Sequence, residues 1–348
     1  MSDQVLNYLA AAAALAGLMA YAVLGGADFG GGVWDLLARG PRKREQREVI
    51  AKAIGPVWEA NHVWLIFVIV VLFTCFPNGY GPLMTALFLP LHLVLVGIIL
   101  RGAAFVFRGY GPQRKDSGSE HHPVNPATAW GAVFGAASII SPVILGASFG
   151  VVTAGDVRID GSGVTVASFP WLRPYPLACG ALALSTCAYL AAVYLVVETE
   201  DQPALRRDFR RRAIVAGTIT AILAVVVLIV ARFEATWFVA QLQSIRALPV
   251  LIAGGIAFAV SAAAVFSSWD RIARISAAAQ VILMLLGWGM AHRDYLIYPD
   301  MTLAKAAAPP ATIKFMLVAT LIGLIPLLPS LWLLFRVFKS SDHGKTKY

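Results

Sequence analysis

The sequence predicts an all-α integral membrane protein with nine transmembrane helices. Of its 348 residues, 59% are hydrophobic and only 14% are charged, whereas a soluble chain carries roughly a quarter charged residues. The apolar residues fall into runs of about 20, the length that crosses a bilayer as a helix. Charged or Pro/Gly-rich stretches separate these runs, so we expect one polytopic membrane domain over residues 1–348.

Nine apolar runs are long enough to span the membrane. The first four cover about residues 5–152 and the other five about 176–335. The segment PNGYGP (77–82) predicts a tight turn that joins spans two and three as an antiparallel hairpin. The predicted spans are 5–27, 57–76, 82–101, 126–152, 176–197, 212–231, 247–267, 274–291 and 313–335.

The loops between the spans alternate between many and few basic residues. The loops after spans one, three, five and seven, together with the C-terminal tail, hold 21 of the 28 Lys and Arg residues. RGPRKREQR (39–47) and RRDFRRR (206–212) are the densest stretches. The positive-inside rule places this side in the cytoplasm, so the N-terminus is predicted to be periplasmic and the C-terminus cytoplasmic. The net charge of +9 then reflects topology in the lipid bilayer, and no nucleic-acid partner is expected.

The second span begins with polar residues in an apolar run. In GPVWEANHVWLIFVIVVLF (55–73), Glu59 lies about 25 Å from the outer end of the span, just inside the cytoplasmic boundary. Glu59 and His62 are three residues apart and share a helix face, beside a stripe of Trp58 and Asn61. Because an ionisable group in a span is costly unless it is paired or hydrated, this pattern indicates a functional site. The alternative is an interfacial Glu59 that contacts headgroups or water.

A second carboxylate is predicted at the same depth. The first span ends on the cytoplasmic side with GGADFGGGVWDLL (25–37), where flanking glycines allow close backbone approach around Asp28. Two carboxylates in a poorly solvated region can hold a proton near neutral pH, as a proton entry site requires. The alternative places Asp28 in a helix extension outside the hydrocarbon. Arg101 could pair with either carboxylate, but snorkelling to the interface is its favoured interpretation.

Histidine and cysteine give no sign of a cofactor site. Of the six histidines, only His62 and His92 fall inside the predicted hydrocarbon, and no facing pair across two helices is evident. The three cysteines lie in apolar runs without metal or disulfide spacing. We therefore expect that this chain alone binds no metal and no haem.

The motifs together resemble subunit II of cytochrome bd-type quinol oxidases. GPVWEANHVWLI (55–66) resembles the family signature Pro-x-Trp-(Asp/Glu)-(Gly/Ala)-Asn-(Gln/His)-Val-Trp, which ends here at Trp64. AVLGGADFGGGV (22–33) is similar to the first-helix motif, and WGAVFGAASIISPVILGASFG (130–150) is similar to helix four. The motif Arg-x3-Phe-x2-Arg is matched by Arg101, Phe105 and Arg108.

The resemblance implies a place in the respiratory chain of a bacterial plasma membrane. The family oxidises quinol and reduces oxygen to water, and its subunit I carries the b-type haems and haem d. Subunit II is implied to be a haem-free partner, inactive alone, built from two four-helix bundles and one peripheral helix. The resemblance also implies a heterodimer with subunit I, and it leaves open small single-helix accessory subunits and a structural quinone.

The resemblance further implies that subunit II lines a proton route from the cytoplasm. The helix-two acid of this route falls on Glu59 and the helix-one acid on Asp28. Two departures stand out, because Gly25 and Val106 occupy positions where many members have an acid. They indicate a divergent branch, for which the cyanide-insensitive type is one candidate. The residues assigned to the route are Glu59, Asp28, Asn61 and His62, with Trp58, Trp64 and Arg101 in support.

Two other functions remain as alternatives. A proton-coupled secondary transporter would use Glu59 and Asp28 for coupling. Transporter sites usually lie near the bilayer midplane between broken helices, whereas these acids are predicted at one edge. A structural membrane scaffold is the third possibility.

Overall fold

The computed structural model describes residues 2–110, 126–161 and 163–340. Within helices it leaves out the side chains of residues 55–60, 108–110, 126–128, 335 and 337–340. Long helices dominate the fold. They are α1 (Asp3–Leu36), α2 (Lys43–Cys75), α3 (Pro77–Ala86), α4 (Phe88–Tyr110), α5 (Pro126–Ala154), α6 (Pro174–Glu198), α7 (Pro203–Glu234), α8 (Thr236–Leu242), α9 (Leu248–Phe266), α10 (Asp270–Ala291), α11 (Leu303–Ala306) and α12 (Pro310–Ser340).

The helices confirm the predicted fold class. Within the described residues, eight helices are long and apolar enough to cross a membrane, namely α1, α4, α5, α6, α7, α9, α10 and α12. Helix α2 is 33 residues long, and its described apolar part is the shorter segment Asn61–Cys75. A span by α2 would bring the total to nine, so that count stays a prediction.

The predicted tight turn at 77–82 is wrong. These residues form the first part of α3, which begins with Pro77. Proline is tolerated in the first helical turn because its missing N–H would have no intrahelical acceptor there. The third span consequently begins at Phe88 instead of residue 82 and continues to Tyr110 instead of residue 101.

In the order of the chain, the membrane helices are divided into a first and a second group. Helices α1, α2, α4 and α5 pack in sequence-neighbouring pairs, and α6, α7, α9 and α10 form the second set. Helix α6 lies at the junction, since it contacts both α1 and α5. Helix α12 packs mainly against α1 and α2 among the described long helices, and it exposes Phe315, Leu321 and Ile325. This arrangement is consistent with the predicted peripheral helix, and the exposed apolar face is suited to lipid.

Ion pairs join the two groups on the side predicted to be cytoplasmic. The Arg42 guanidinium, just before α2, donates two hydrogen bonds to the Asp208 carboxylate on α7, at 2.8 and 2.9 Å. The Gln46 amide donates to the same carboxylate at 3.0 Å, and Arg212 donates to the Gln46 carbonyl at 2.6 Å. This network fixes the start of α2 against α7.

Two short hairpins on the opposite side were not predicted. They pair β1 (Val157–Asp160) with β2 (Gly163–Val166), and β3 (Tyr295–Ile297) with β4 (Met301–Thr302). Arg158 on the first hairpin donates to the Asp300 carboxylate beside the second, at 2.9 Å. This hydrogen bond holds the pKa of the Asp300 carboxyl below its ordinary value. The ion pair therefore ties the two outer loops together.

Candidate functional site

Close helix packing buries Asp28 in the last third of α1. A Cβ atom at Gly30 would overlap the Cys187 carbonyl on α6, and one at Gly32 would overlap the Ser138 side chain on α5. Only glycine lets the three backbones approach this closely. The packing leaves Asp28 just 2% exposed. This confirms the role predicted for the glycines and excludes a solvent-exposed position for Asp28.

Arg101 on α4 forms a bidentate ion pair with Asp28. Its Nη1 donates to Oδ2 at 2.6 Å and its Nη2 to Oδ1 at 2.5 Å. Nη2 also donates to the Asp28 carbonyl at 2.9 Å, and Nε donates to the Ser138 hydroxyl at 2.9 Å. Such paired, charge-assisted hydrogen bonds are the strongest that side chains make with each other.

The snorkelling interpretation of Arg101 is therefore wrong. The side chain is 3% exposed and lies between the rings of Phe29 and Phe134, with its Cζ 5.0 and 4.8 Å from their centroids. A buried guanidinium is acceptable here because Asp28 neutralises it and two aromatic faces attract it. The structure supports the alternative prediction, in which Arg101 pairs with a carboxylate, and that carboxylate is Asp28.

Asn61 brings α2 into the same cluster. It is 1% exposed, and its Nδ2 donates to Asp28 Oδ2 at 3.2 Å. This contact confirms that Asp28 and the polar start of the second span lie at similar depth. Within the described part of the chain, Asn61 Oδ1 and Trp64 Nε1 are buried without a hydrogen-bond partner. Buried polar atoms of this kind are usually satisfied by water or by another chain.

The remaining residues assigned to the route on α2 are Trp58, Glu59, His62 and Trp64. Glu59 and Trp58 lie on α2, but their side chains are outside the described part of the structure. His62 is half-buried and lies within the electrostatic field of Asp28 and Arg101. The Trp64 ring packs edge-on against Phe67, with the centroids 6.5 Å apart.

Sequence reasoning missed Ser138, Phe29 and Phe134. Ser138 is fully buried on α5, where its hydroxyl accepts from Arg101 and donates to the Phe134 carbonyl at 2.7 Å. A serine in an apolar helix carries no charge and can satisfy itself on its own backbone, so nothing in the sequence marks it. The cluster thus combines one ion pair, one amide and one hydroxyl from α1, α2, α4 and α5.

The described residues offer little to hold a metal or a haem. Among them, no group of three or more His, Cys, Asp or Glu side chains is placed to bind a metal ion. His92 lies on an exposed face of α4, where its Nδ1 is 2.7 Å from the Phe88 carbonyl oxygen. That this chain alone binds no haem stays a prediction.

The fold and this site define a polytopic α-helical membrane protein with an ion pair buried among its helices. The profile of the family "Cytochrome bd terminal oxidase subunit II" matches residues 6–338. The chain belongs to this family. It is thus a multi-pass bacterial membrane protein and part of an oxidoreductase complex of aerobic respiration, which favours the oxidase hypothesis over the transporter.

Individual relatives agree with this assignment. A Bacillus subtilis (strain 168) chain, provisionally named a cytochrome bd menaquinol oxidase subunit II, is 24% identical over 91% of each chain. The cytochrome bd-I ubiquinol oxidase subunit 2 of Escherichia coli (strain K12) is 27% identical over 59% of this chain and 52% of its own length. A chain in the structure of bd oxidase from Geobacillus thermodenitrificans shares the fold, with a TM-score of 0.76 at 20% identity over 96% of this chain and 98% of that chain.

Proposed function

We propose that this chain is the haem-free subunit II of a bd-type quinol:oxygen oxidoreductase, paired with a haem-bearing subunit I. It supports assembly of the complex and lines a cytoplasmic proton route toward the oxygen-reducing haem of that partner. The observation that carries the proposal is the buried cluster of Asp28, Arg101 and Asn61, which adjoins the Glu59 turn of α2.

The cluster suits proton entry because it keeps polar groups inside the membrane at a low cost in free energy. The Asp28–Arg101 pair is neutral as a unit, so it stays buried without attracting a counter-ion. It holds the Asn61 amide in place, and the unpartnered Asn61 Oδ1 can accept a hydrogen bond from a water molecule. Glu59, about half a turn earlier on α2, supplies the carboxyl group that takes up the proton.

The other assigned residues have supporting roles in this proposal. His62 and Asp28 line the route, and Arg101 fixes Asp28. Trp64 offers its buried, unpartnered N–H as a further donor to water, and Trp58 keeps the supporting role that the resemblance implies. Haem b and haem d belong to subunit I, and quinol is oxidised there. The chain contributes no catalytic residue of its own.

The haem-free role predicts the behaviour of the chain produced without its partner. The purified chain is expected to contain no stoichiometric haem, because its described residues present no facing pair of axial histidines and His92 lies on an outward face. A pyridine haemochrome assay measures this directly. Co-expression with the haem-bearing subunit is the positive control, and one haem per chain in the isolated protein would refute the role.

The proposed route from the cytoplasm requires one particular orientation of the chain in the membrane. With 21 of the 28 basic residues on one side, the C-terminus is expected in the cytoplasm and the N-terminus in the periplasm. A green fluorescent protein fused to the C-terminus should therefore fluoresce, and alkaline phosphatase fused there should be inactive. The opposite pair of results would place the Glu59 side in the periplasm and remove the proposed cytoplasmic entry.

A further inference from the structure

Tyr21 lies on the bilayer-centre side of the ion pair. It precedes Asp28 by seven residues of α1, which is two helical turns or about 10 Å. Its ring lies along the helix, with Cε2 3.4 Å and Cζ 3.6 Å from the position that a Cβ of Gly25 would take. Because Gly25 has no side chain, the phenol covers the turn between Tyr21 and Asp28. The ring therefore extends from Tyr21 toward Gly25, in the direction of Asp28.

The Tyr21 hydroxyl is buried and unpartnered. The residue is 6% exposed, and the hydroxyl oxygen has no hydrogen-bond partner among the described residues. Among the described residues, the charged and ionisable groups that act on it are Cys187 on α6, Asp28 on α1 and Arg101 on α4. A buried hydroxyl without a partner lowers stability, and phenylalanine would fill the same space without that cost. Stability alone gives no reason for a tyrosine here.

A second buried tyrosine in a membrane helix shows the structural use of the same group. Tyr189 on α6 is 2% exposed, and its hydroxyl lies 2.7 Å from the Ser261 hydroxyl on α9. That hydrogen bond connects two helices of the second group. The two tyrosines therefore match in type and burial and differ in whether the hydroxyl is paired.

We propose that the Tyr21 hydroxyl is a proton-relay group, which continues the route from the Asp28–Arg101–Asn61 cluster toward the centre of the bilayer. The inference rests on the proposed function and deepens it. A protonated water molecule on the cluster side donates a proton to a lone pair of the phenol oxygen and becomes neutral water. In the same step the hydroxyl's own proton passes to a second water molecule on the far side, which becomes protonated, and rotation of the new O–H resets the group. The phenol gains no net charge, and no bond to carbon changes.

The test uses the whole oxidase complex with Tyr21→Phe and, as its matched control, Tyr189→Phe. Quinol-dependent oxygen consumption per haem d, its solvent deuterium isotope effect and the melting midpoint are measured on each sample. Tyr21→Phe should slow turnover severalfold and raise the isotope effect, because proton delivery becomes more rate-limiting. Its melting midpoint should stay the same or rise. Tyr189→Phe should lower the midpoint and leave turnover and isotope effect unchanged.

Two results would overturn the inference. One is normal turnover with an unchanged isotope effect in Tyr21→Phe. The other is a lower melting midpoint of Tyr21→Phe with an unchanged isotope effect, because that result would show that the hydroxyl has a structural role. Glu59→Gln measured alongside separates this inference from the proposed function. Slow Glu59→Gln with normal Tyr21→Phe refutes the relay alone, whereas normal turnover in both variants refutes the cytoplasmic route itself.

Discussion

Arg101→Gln is expected to remove most of the assembled protein from the membrane. The substitution leaves the Asp28 carboxylate, 2% exposed, without its bidentate partner. Breaking a buried ion pair by deleting one member costs about 3–5 kcal/mol. Proteins are commonly stable by only about 5–15 kcal/mol, so a loss of this size lowers the folded population and its resistance to proteolysis. Immunoblotting of membranes and the haem content of the purified complex measure the effect.

Two controls make the Arg101 experiment specific. Arg44→Gln removes an arginine from an exposed pair with Glu48, whose side chains are 92% and 64% exposed, and it should change accumulation little. The double variant Arg101→Gln/Asp28→Asn removes both charges and should recover part of the lost protein, because no uncompensated charge stays buried. Arg101→Gln that accumulates as well as Arg44→Gln would show that the ion pair does not hold these helices together.

Glu59→Gln is expected to slow turnover while haem content and the melting midpoint stay nearly normal. Glutamine keeps the shape and hydrogen bonding of glutamate but cannot carry a proton. The deficit should grow as pH rises, because any remaining paths then find fewer protons in the cytoplasm. Glu59→Asp should keep much of the activity, since an acid remains at the same depth. The measurement is quinol-dependent oxygen consumption per haem across a pH range, with a melting curve on the same sample.

The matched control for Glu59 is Glu48→Gln on the same helix. Glu48 is 64% exposed and lies before the apolar part of α2, so this variant removes a carboxylate from the same side of the membrane. It should be silent. An interfacial Glu59 would make both variants silent. A structural role for Glu59 would instead lower yield and the melting midpoint of Glu59→Gln without the pH-dependent deficit.

The positions of most membrane helices could be predicted from hydropathy, but their lengths could not. Predicted span 247–267 agrees with Leu248–Phe266, whereas predicted spans 57–76 and 212–231 belong to helices that begin at Lys43 and Pro203. Hydropathy detects only the part of a helix within the hydrocarbon. The charged extensions are helical as well, and they carry contacts that join α2 to α7, including the hydrogen bond from Gln46 to Asp208.

The residues of the site could be predicted in part from the sequence, but their contacts could not, because those depend on how the helices pack. Asp28 and Asn61 stand out in the sequence because a polar residue in an apolar run is costly. Whether Arg101 turns toward lipid headgroups or toward Asp28 depends on which face of α4 meets α1, and depth along the helix does not decide that. The decisive contacts come from helix packing at Gly30 and Gly32, which only a three-dimensional arrangement reveals.

Proton uptake in a single turnover tests the central proposal most directly. The fully reduced complex, in oriented proteoliposomes, is mixed with oxygen while a pH-sensitive dye reports on the cytoplasmic side. We expect protons to be taken up from that side as oxygen is reduced, with slower uptake in Glu59→Gln and the normal rate in Glu48→Gln. Equal uptake rates in all three proteins, or uptake from the periplasmic side, would contradict a cytoplasmic proton route through this subunit.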